Sequence, residues 1–274
     1  MKRIKVLAEY SLGVVESREF MVGLATFLMG LVVLALALPA PAGWAEEFEE
    51  ANIFLELNDT DGDLGIHALV DGDAWKKLEI ENPNERKILE VRARGRLRQQ
   101  GLTEIFFESD EPTFDELPPE EFLLRFREGE YEFIGKTLEG TELESTDELT
   151  HVLPAPPENI LISGEPAAED CDADPLPSVD GDKPVIIRWD AVTESHPEIG
   201  TPTSSPDIDI VGYQVVVERE EPTLLVFSVD LPPSVTRVRV PRVFIDLGEE
   251  FKLEILVREA SGNQTAVETC FEVE

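Results

Sequence analysis

From residue 46 onward, apolar side chains recur at every second position in short runs, and turn-forming residues interrupt those runs about every 8–12 residues. A period of two places one face of each run against a core and the other toward water, so the chain is read as antiparallel β structure. In the first half the predicted strands are Ile53–Leu57, Gly65–Val70, Trp75–Ile80, Ile88–Ala93, Thr103–Glu108, Glu130–Lys136 and Glu142–Thr150. One helix interrupts them. Pro118 and Pro119 suit a first turn, and Phe122, Leu123 and Phe126 form an apolar stripe behind them.

Short strands this closely spaced predict an immunoglobulin-like sandwich over residues 46–153. The helical turn followed by Gly129-Glu130-Tyr131-Glu132-Phe133 resembles the approach to a penultimate sandwich strand. A proline-rich joint, Leu153-Pro154-Ala155-Pro156-Pro157, then predicts a stiff connection that restricts how the two halves of the chain are oriented.

Residues 154–274 resemble a fibronectin type III domain. The resemblance is carried by the opening Pro156-Pro157-Glu158-Asn159-Ile160 and by Val185-Ile186-Ile187-Arg188-Trp189 as strand B. Ile210 to Val217 stands as strand C, Thr236 to Pro241 as strand E, Phe251–Arg258 as strand F and Thr265–Val273 as strand G. Alternation supports it independently, since Val185, Ile187 and Trp189 share one face, as do Phe251, Leu253, Ile255 and Val257. Two features depart from the family. Phe251 stands near the position of its usual strand-F tyrosine, and the A–B connection, about Ser163 to Lys183, is longer than the fold requires. The fold class is therefore all-β: two immunoglobulin-like sandwiches in tandem, the second fibronectin type III-like.

Residues 1–45 behave differently. Lys2, Arg3, Lys5 and Arg18 precede an uncharged apolar run from Phe20 to Leu38, and small or helix-breaking residues follow to Ala45. That order is a secretory signal peptide, with cleavage after Ala42 or Ala45, and it predicts a secreted or periplasmic protein with no membrane contact after cleavage. The run is also long enough to remain as an anchor. Cys171 and Cys270 are the only cysteines, and an even pair in an exported chain predicts a disulfide between the long A–B loop and strand G.

Charge narrows the partners. There are 58 acidic against 23 basic side chains, a formal charge of −35 and only eight lysines. Removing the leader makes the balance one charge more negative, because it holds four basic residues and three acidic ones. Such a field repels nucleic acid and anionic membrane and leaves an unidentified protein or polysaccharide as the expected partner.

Candidate chemistry is sparse. Asn58-Asp59-Thr60-Asp61-Gly62-Asp63-Leu64-Gly65 sets Asp59, Asp61 and Asp63 at alternate positions, and Asp71 and Asp73 stand where a returning strand brings them alongside. Those carboxylates suit a structural Ca²⁺; the same residues also suit a plain hydrophilic turn, and no cofactor is required. Arg92, Arg94, Arg96 and Arg98 recur at period two and predict an outward stripe, either for an anionic polymer or for a ladder with nearby glutamates. Ser195-His196 falls in the B–C loop and reads as solvated loop rather than site, while residues 191–208 with the turn near Asn263 form a candidate binding surface. There is no nucleophile elbow, glycine-rich phosphate loop or metal-ligand histidine set. The reading is a non-enzymatic binding, adhesion or spacer protein. The alternative is an auxiliary carbohydrate-active or hydrolytic component using carboxylates of residues 46–153.

Overall fold

The structure, a computed structural model, describes residues 45–201 and 208–274. The leader lies outside the described residues except for Ala45, and so do residues 202–207 of the candidate loop surface. The protein is mostly β, as the period of two predicts.

The first half contains β1 (Glu50–Asn58), β2 (Asp63–Asn82), β3 (Arg86–Arg92), α1 (Gly95–Gln100), β4 (Leu102–Glu108), α2 (Pro119–Arg125), β5 (Gly129–Thr137) and β6 (Glu142–Leu149). The break expected between the predicted strands Gly65–Val70 and Trp75–Ile80 does not form. The segments on either side of it are one strand of 20 residues, and Asp71 stays in the ladder opposite Glu50 and Glu104. What happens there is a register slip between Asp71 and Trp75. The irregularity bends β2, so that its first half lies between β1 and β4 and its second half between β3 and β5. One strand thereby serves both parts of the sandwich. Ile53, Leu55, Leu57, Leu78, Ile80 and Phe133 fill the space between them and are fully buried, with Trp75 buried at the bend itself.

α2 forms where the proline pair and the apolar stripe predict it, and Phe122 and Leu123 are its buried residues. Tyr131, near the start of β5, donates its hydroxyl to the Arg127 carbonyl four residues upstream at 3.1 Å. Burial pushes its phenol up to about 12, which keeps it a donor. A tyrosine at a strand entrance bonding back to the preceding chain is the tyrosine corner of immunoglobulin-type sandwiches.

The second half contains β7 (Leu161–Ile162), β8 (Glu165–Pro166), β9 (Ser178–Val179), β10 (Ile186–Arg188), β11 (Ile210–Arg219), β12 (Leu225–Leu231), β13 (Arg237–Arg239), α3 (Arg242–Ile245), β14 (Glu250–Glu259) and β15 (Gln264–Val273). β13, β10, β7 and β8 form one sheet; β12, β11, β14 and β15 run side by side in the other. The predicted strands B and E therefore pair with each other, while C, F and G lie together, a fibronectin type III-like arrangement. Trp189 and Tyr213 pack edge to face in the core, with ring centroids 5.3 Å apart. Phe251 stacks on Phe271 instead of supplying a hydroxyl. The Cys171–Cys270 disulfide is formed and ties the long loop to β15. Farther along the same loop, β9 pairs in parallel with β15, Ser178 opposite Glu272.

The two halves keep separate buried cores yet share a sheet. β15 pairs in parallel with β1, Glu56 opposite Gln264 and Asn58 opposite Ala266. The ladder therefore runs without a break from β12 to β6, within a sheet of eleven strands.

Candidate functional site

The five aspartates do not converge. Asp63 and Asp71 both lie on β2, eight residues apart along one continuous ladder with β1. At the strand rise of roughly 3.3 Å per residue, that places them about 26 Å apart, too far to share an ion. Asp71 and Asp73 are corrected accordingly: Asp71 stands in a cross-strand row with Glu50 and Glu104. Burial, and then the Asp71 charge, raise the Glu50 carboxyl above its ordinary value. Asp59 and Asp61 have protein partners. Asp59 accepts from His196 at 3.1 Å, and Asp61 accepts from the Asn58 amide at 3.2 Å.

That histidine corrects the reading of its loop. His196 is 5% exposed, and its backbone N–H donates to the Leu153 carbonyl at 2.7 Å. Pro154 pairs with Ser195, and the Ala155 N–H bonds to the Glu194 carbonyl, so the B–C loop docks on the proline-rich joint. The turn near Asn263 is likewise no open surface. Asn263 is wholly buried; its side-chain oxygen accepts the Leu55 N–H at 2.8 Å, while its amide donates to the Thr150 and Val152 carbonyls at 3.0 and 2.9 Å.

On the outer face of β1 and β2 a polar cluster is buried beside that seam. Glu56, His67 and Glu111 each offer a potential ligand atom within 4.8 Å of the others. Glu111 Oε1 lies 3.0 Å from His67 Nε2, whereas Glu56 Oε2 lies 3.7 Å from Nδ1. The carboxylates thus face opposite ring nitrogens. A metal ion takes the lone pair of one nitrogen, which leaves the other carboxylate on the wrong edge, so the arrangement suits a clamp on the ring, hydrogen-bonded through Glu111 with Glu56 close by, better than a metal centre. The Gln264 amide donates to Glu56, and Arg258 donates to Gln264 Oε1 at 3.1 and 3.0 Å, so the chain of contacts crosses between the halves.

Gly65 makes room for this clamp. A Cβ there would stand 2.5 Å from Glu111 Oε1. Replacing Gly65 by alanine is expected to push the Glu111 carboxylate off His67 at a cost of about 1 kcal/mol. A changed His67 ring signal in ¹H–¹⁵N NMR together with a slightly lowered melting temperature checks this; an unmoved ring signal contradicts it.

The arginine stripe is also corrected. β3 ends at Arg92, Arg94 precedes α1, and Arg96 and Arg98 lie on α1, so the four do not share a strand face. A ladder does exist, and of the four arginines Arg92 joins it: Lys77 and Lys87 pair with Glu79, while Lys87 and Arg92 pair with Glu90. The turn into α1 instead folds part of the stripe over the sheet. Arg92, Arg94 and Arg98 join Lys76, Lys77 and Lys136 around a cavity of about 490 Å³, and no acidic residue lines it. Arg96 is not among the lining residues. Two further cavities are also arginine-lined: one of about 320 Å³ by Arg86, Arg125 and Arg127, the other of about 460 Å³ by Arg188 and Arg237.

No family model and no curated protein matches the chain. Solved structures do. A bacterial ice-binding adhesin concerned with host cell surface retention is 12% identical, with 84% of this chain and 66% of that one covered at a TM-score of 0.24. The chicken CNTN1 FN1–FN3 domains are 7% identical, with 83% and 65% covered at 0.32. A two-domain fibronectin type III segment of chicken tenascin is 12% identical, with 83% and 99% covered at 0.27. The chain thus spans about two thirds of the length of the first two. With scores this low, the fold assignment rests on the chain's own topology.

Of the residues around the cavity of about 490 Å³, sequence reasoning singles out the arginines and misses the lysines. The available signal was the Lys76-Lys77 pair in a chain with only eight lysines. The His67 clamp gave no signal, because Glu111 reaches it from a loop that no period describes.

Proposed function

We propose that the chain acts outside the cytoplasm as a non-enzymatic binding or spacer module of the adhesion type. The observation that carries this reading is the unbroken sheet: β1 is laid against β15 and Asn263 is buried between the halves, an arrangement suited to hold the two sandwiches together. Rigid length is what a spacer supplies, and an enzyme does not need it. The disulfide supports the compartment, since such bonds persist under oxidising conditions. No helix among the described residues is long and apolar enough to cross a membrane. Among the described residues, the carboxyls that burial raises, Glu50, Glu132, Asp147 and Glu259, line none of these three cavities.

Small-angle X-ray scattering tests the reading. The expected result is one radius of gyration, unchanged from low to high salt, with the profile of a rigid particle. A radius that shifts with salt, or a profile of two bodies moving about the proline joint, overturns it.

A further inference from the structure

The cationic cavity presents an unusual arrangement of charge. Lys77 on β2 stands directly opposite Arg92 on β3 and directly opposite Lys136 on β5, so three cations form one row across three adjacent strands. Like charges directly opposite one another destabilise a sheet. In a chain with 58 acidic residues and 23 basic ones, a carboxylate at any of these positions would have relieved the repulsion. Glutamates relieve it in part: Glu79 and Glu90 hold Lys77 and Arg92 from along their own strands, and Glu142, directly opposite Lys136 on β6, ends the row 3.8 Å from that ammonium. None of those glutamates lines the cavity.

Three more cations are added to this row. Lys76 donates to the Leu138 carbonyl at 3.1 Å, which orients its ammonium, and it has no ion pair among the described residues. Arg94 and Arg98 are exposed, and neither has an ion pair among the described residues. The shift of register between Trp75 and Lys77 is what lets both Lys76 and Lys77 reach the same cavity.

We propose that this cavity binds a compact oxyanion carrying two or more negative charges, presented as a small ligand or as the terminal group of a larger one. Lysines supply point charge, and the guanidinium forks of Arg94 and Arg98 supply paired donors for phosphate-, sulfate- or carboxylate-type oxygens. Compactness follows from the rest of the surface. A long polyanion crossing this site would run on over a strongly acidic protein, whereas a compact ion experiences mainly the local field, because screening at about 0.15 M salt acts within about 8 Å. The proposal is independent of the spacer reading, and the scattering result does not decide it.

Isothermal titration of the protein with inorganic pyrophosphate at about 0.15 M salt tests it. Saturable binding of one ion per chain is expected, weakening as salt rises. Arg94→Ala with Arg98→Ala is expected to weaken binding by tenfold or more, about 1.4 kcal/mol, while Arg96→Ala leaves it within twofold. The replaced side chains are exposed, so an unchanged thermal melt confirms that the variants are folded. Absence of saturable binding overturns the site. Equal weakening by Arg96→Ala overturns it as well, because it reveals a diffuse field. Dextran sulfate binding more tightly per charge than pyrophosphate overturns the compact ligand in favour of a polymer.

Discussion

Replacing Cys171 and Cys270 together by alanine is expected to lower the unfolding free energy by about 4–5 kcal/mol, which is the chain-entropy figure for a closed loop near a hundred residues. The sequence separation of the pair is 99. The effect should approach the full figure because the native state gains little freedom when the bond is absent. β9 still pairs with β15 through Ser178 and Val179, and the Thr269 hydroxyl still donates to the Ala168 carbonyl at 3.0 Å. The loop thus remains held on both sides of the missing bridge, and the loss falls almost wholly on the unfolded ensemble. Urea unfolding of the variant beside the wild type, and of the wild type with and without reductant, measures it. A loss below about 1 kcal/mol would show that the unfolded chain is already restricted between these points.

Asn263→Ala is expected to cost about 3 kcal/mol, large for a residue with no apolar bulk to lose. Truncation leaves the Leu55 N–H and the Val152 carbonyl without their partner in a place closed to water, at about 1–3 kcal/mol for each buried group. The Thr150 carbonyl and hydroxyl lose the same donor, and Thr150 retains Ser261 Oγ at 3.0 Å. Asn263→Asp separates geometry from chemistry. It keeps the shape and the acceptor for Leu55 but turns oxygen toward the carbonyls, so it too is expected to destabilise. The lowered urea midpoint should be accompanied by faster hydrogen exchange at the Leu55 amide. Exchange unchanged at Leu55 would place the damage elsewhere.

How much of this was legible depended on the distance over which each feature is encoded. The second half was readable strand by strand, because β10, β11 and β14 each bury one face, and alternation records that directly. The disulfide was readable because two cysteines leave one pairing. The interval between Val70 and Trp75 misled because a strand that bends carries the same residues as a strand that ends. The arginine stripe misled in the opposite way. Arg94 to Arg98 alternate by coincidence, while Gly95, with φ of +57°, turns the backbone into a helix. The β1–β15 pairing and the His67 clamp were not legible at all. Each joins residues far apart in sequence, Glu56 with Gln264 and His67 with Glu111, and periodicity records which face is buried but not which strand lies next to it.

The direction of the shared ladder determines how the protein meets force. β1 and β15 run parallel, with Glu56 level with Gln264. Glu50 therefore lies toward one end of the pair and Val273 toward the other. A pull applied between those two residues slides the strands past each other along their length. The ladder bonds are then loaded together in shear, rather than opened one at a time as in a peeled hairpin. Asn263, buried beside the same ladder, would have to give way in the same event. The join between the two sandwiches, which a flexible linker would have made the first place to extend, is by this geometry among the last.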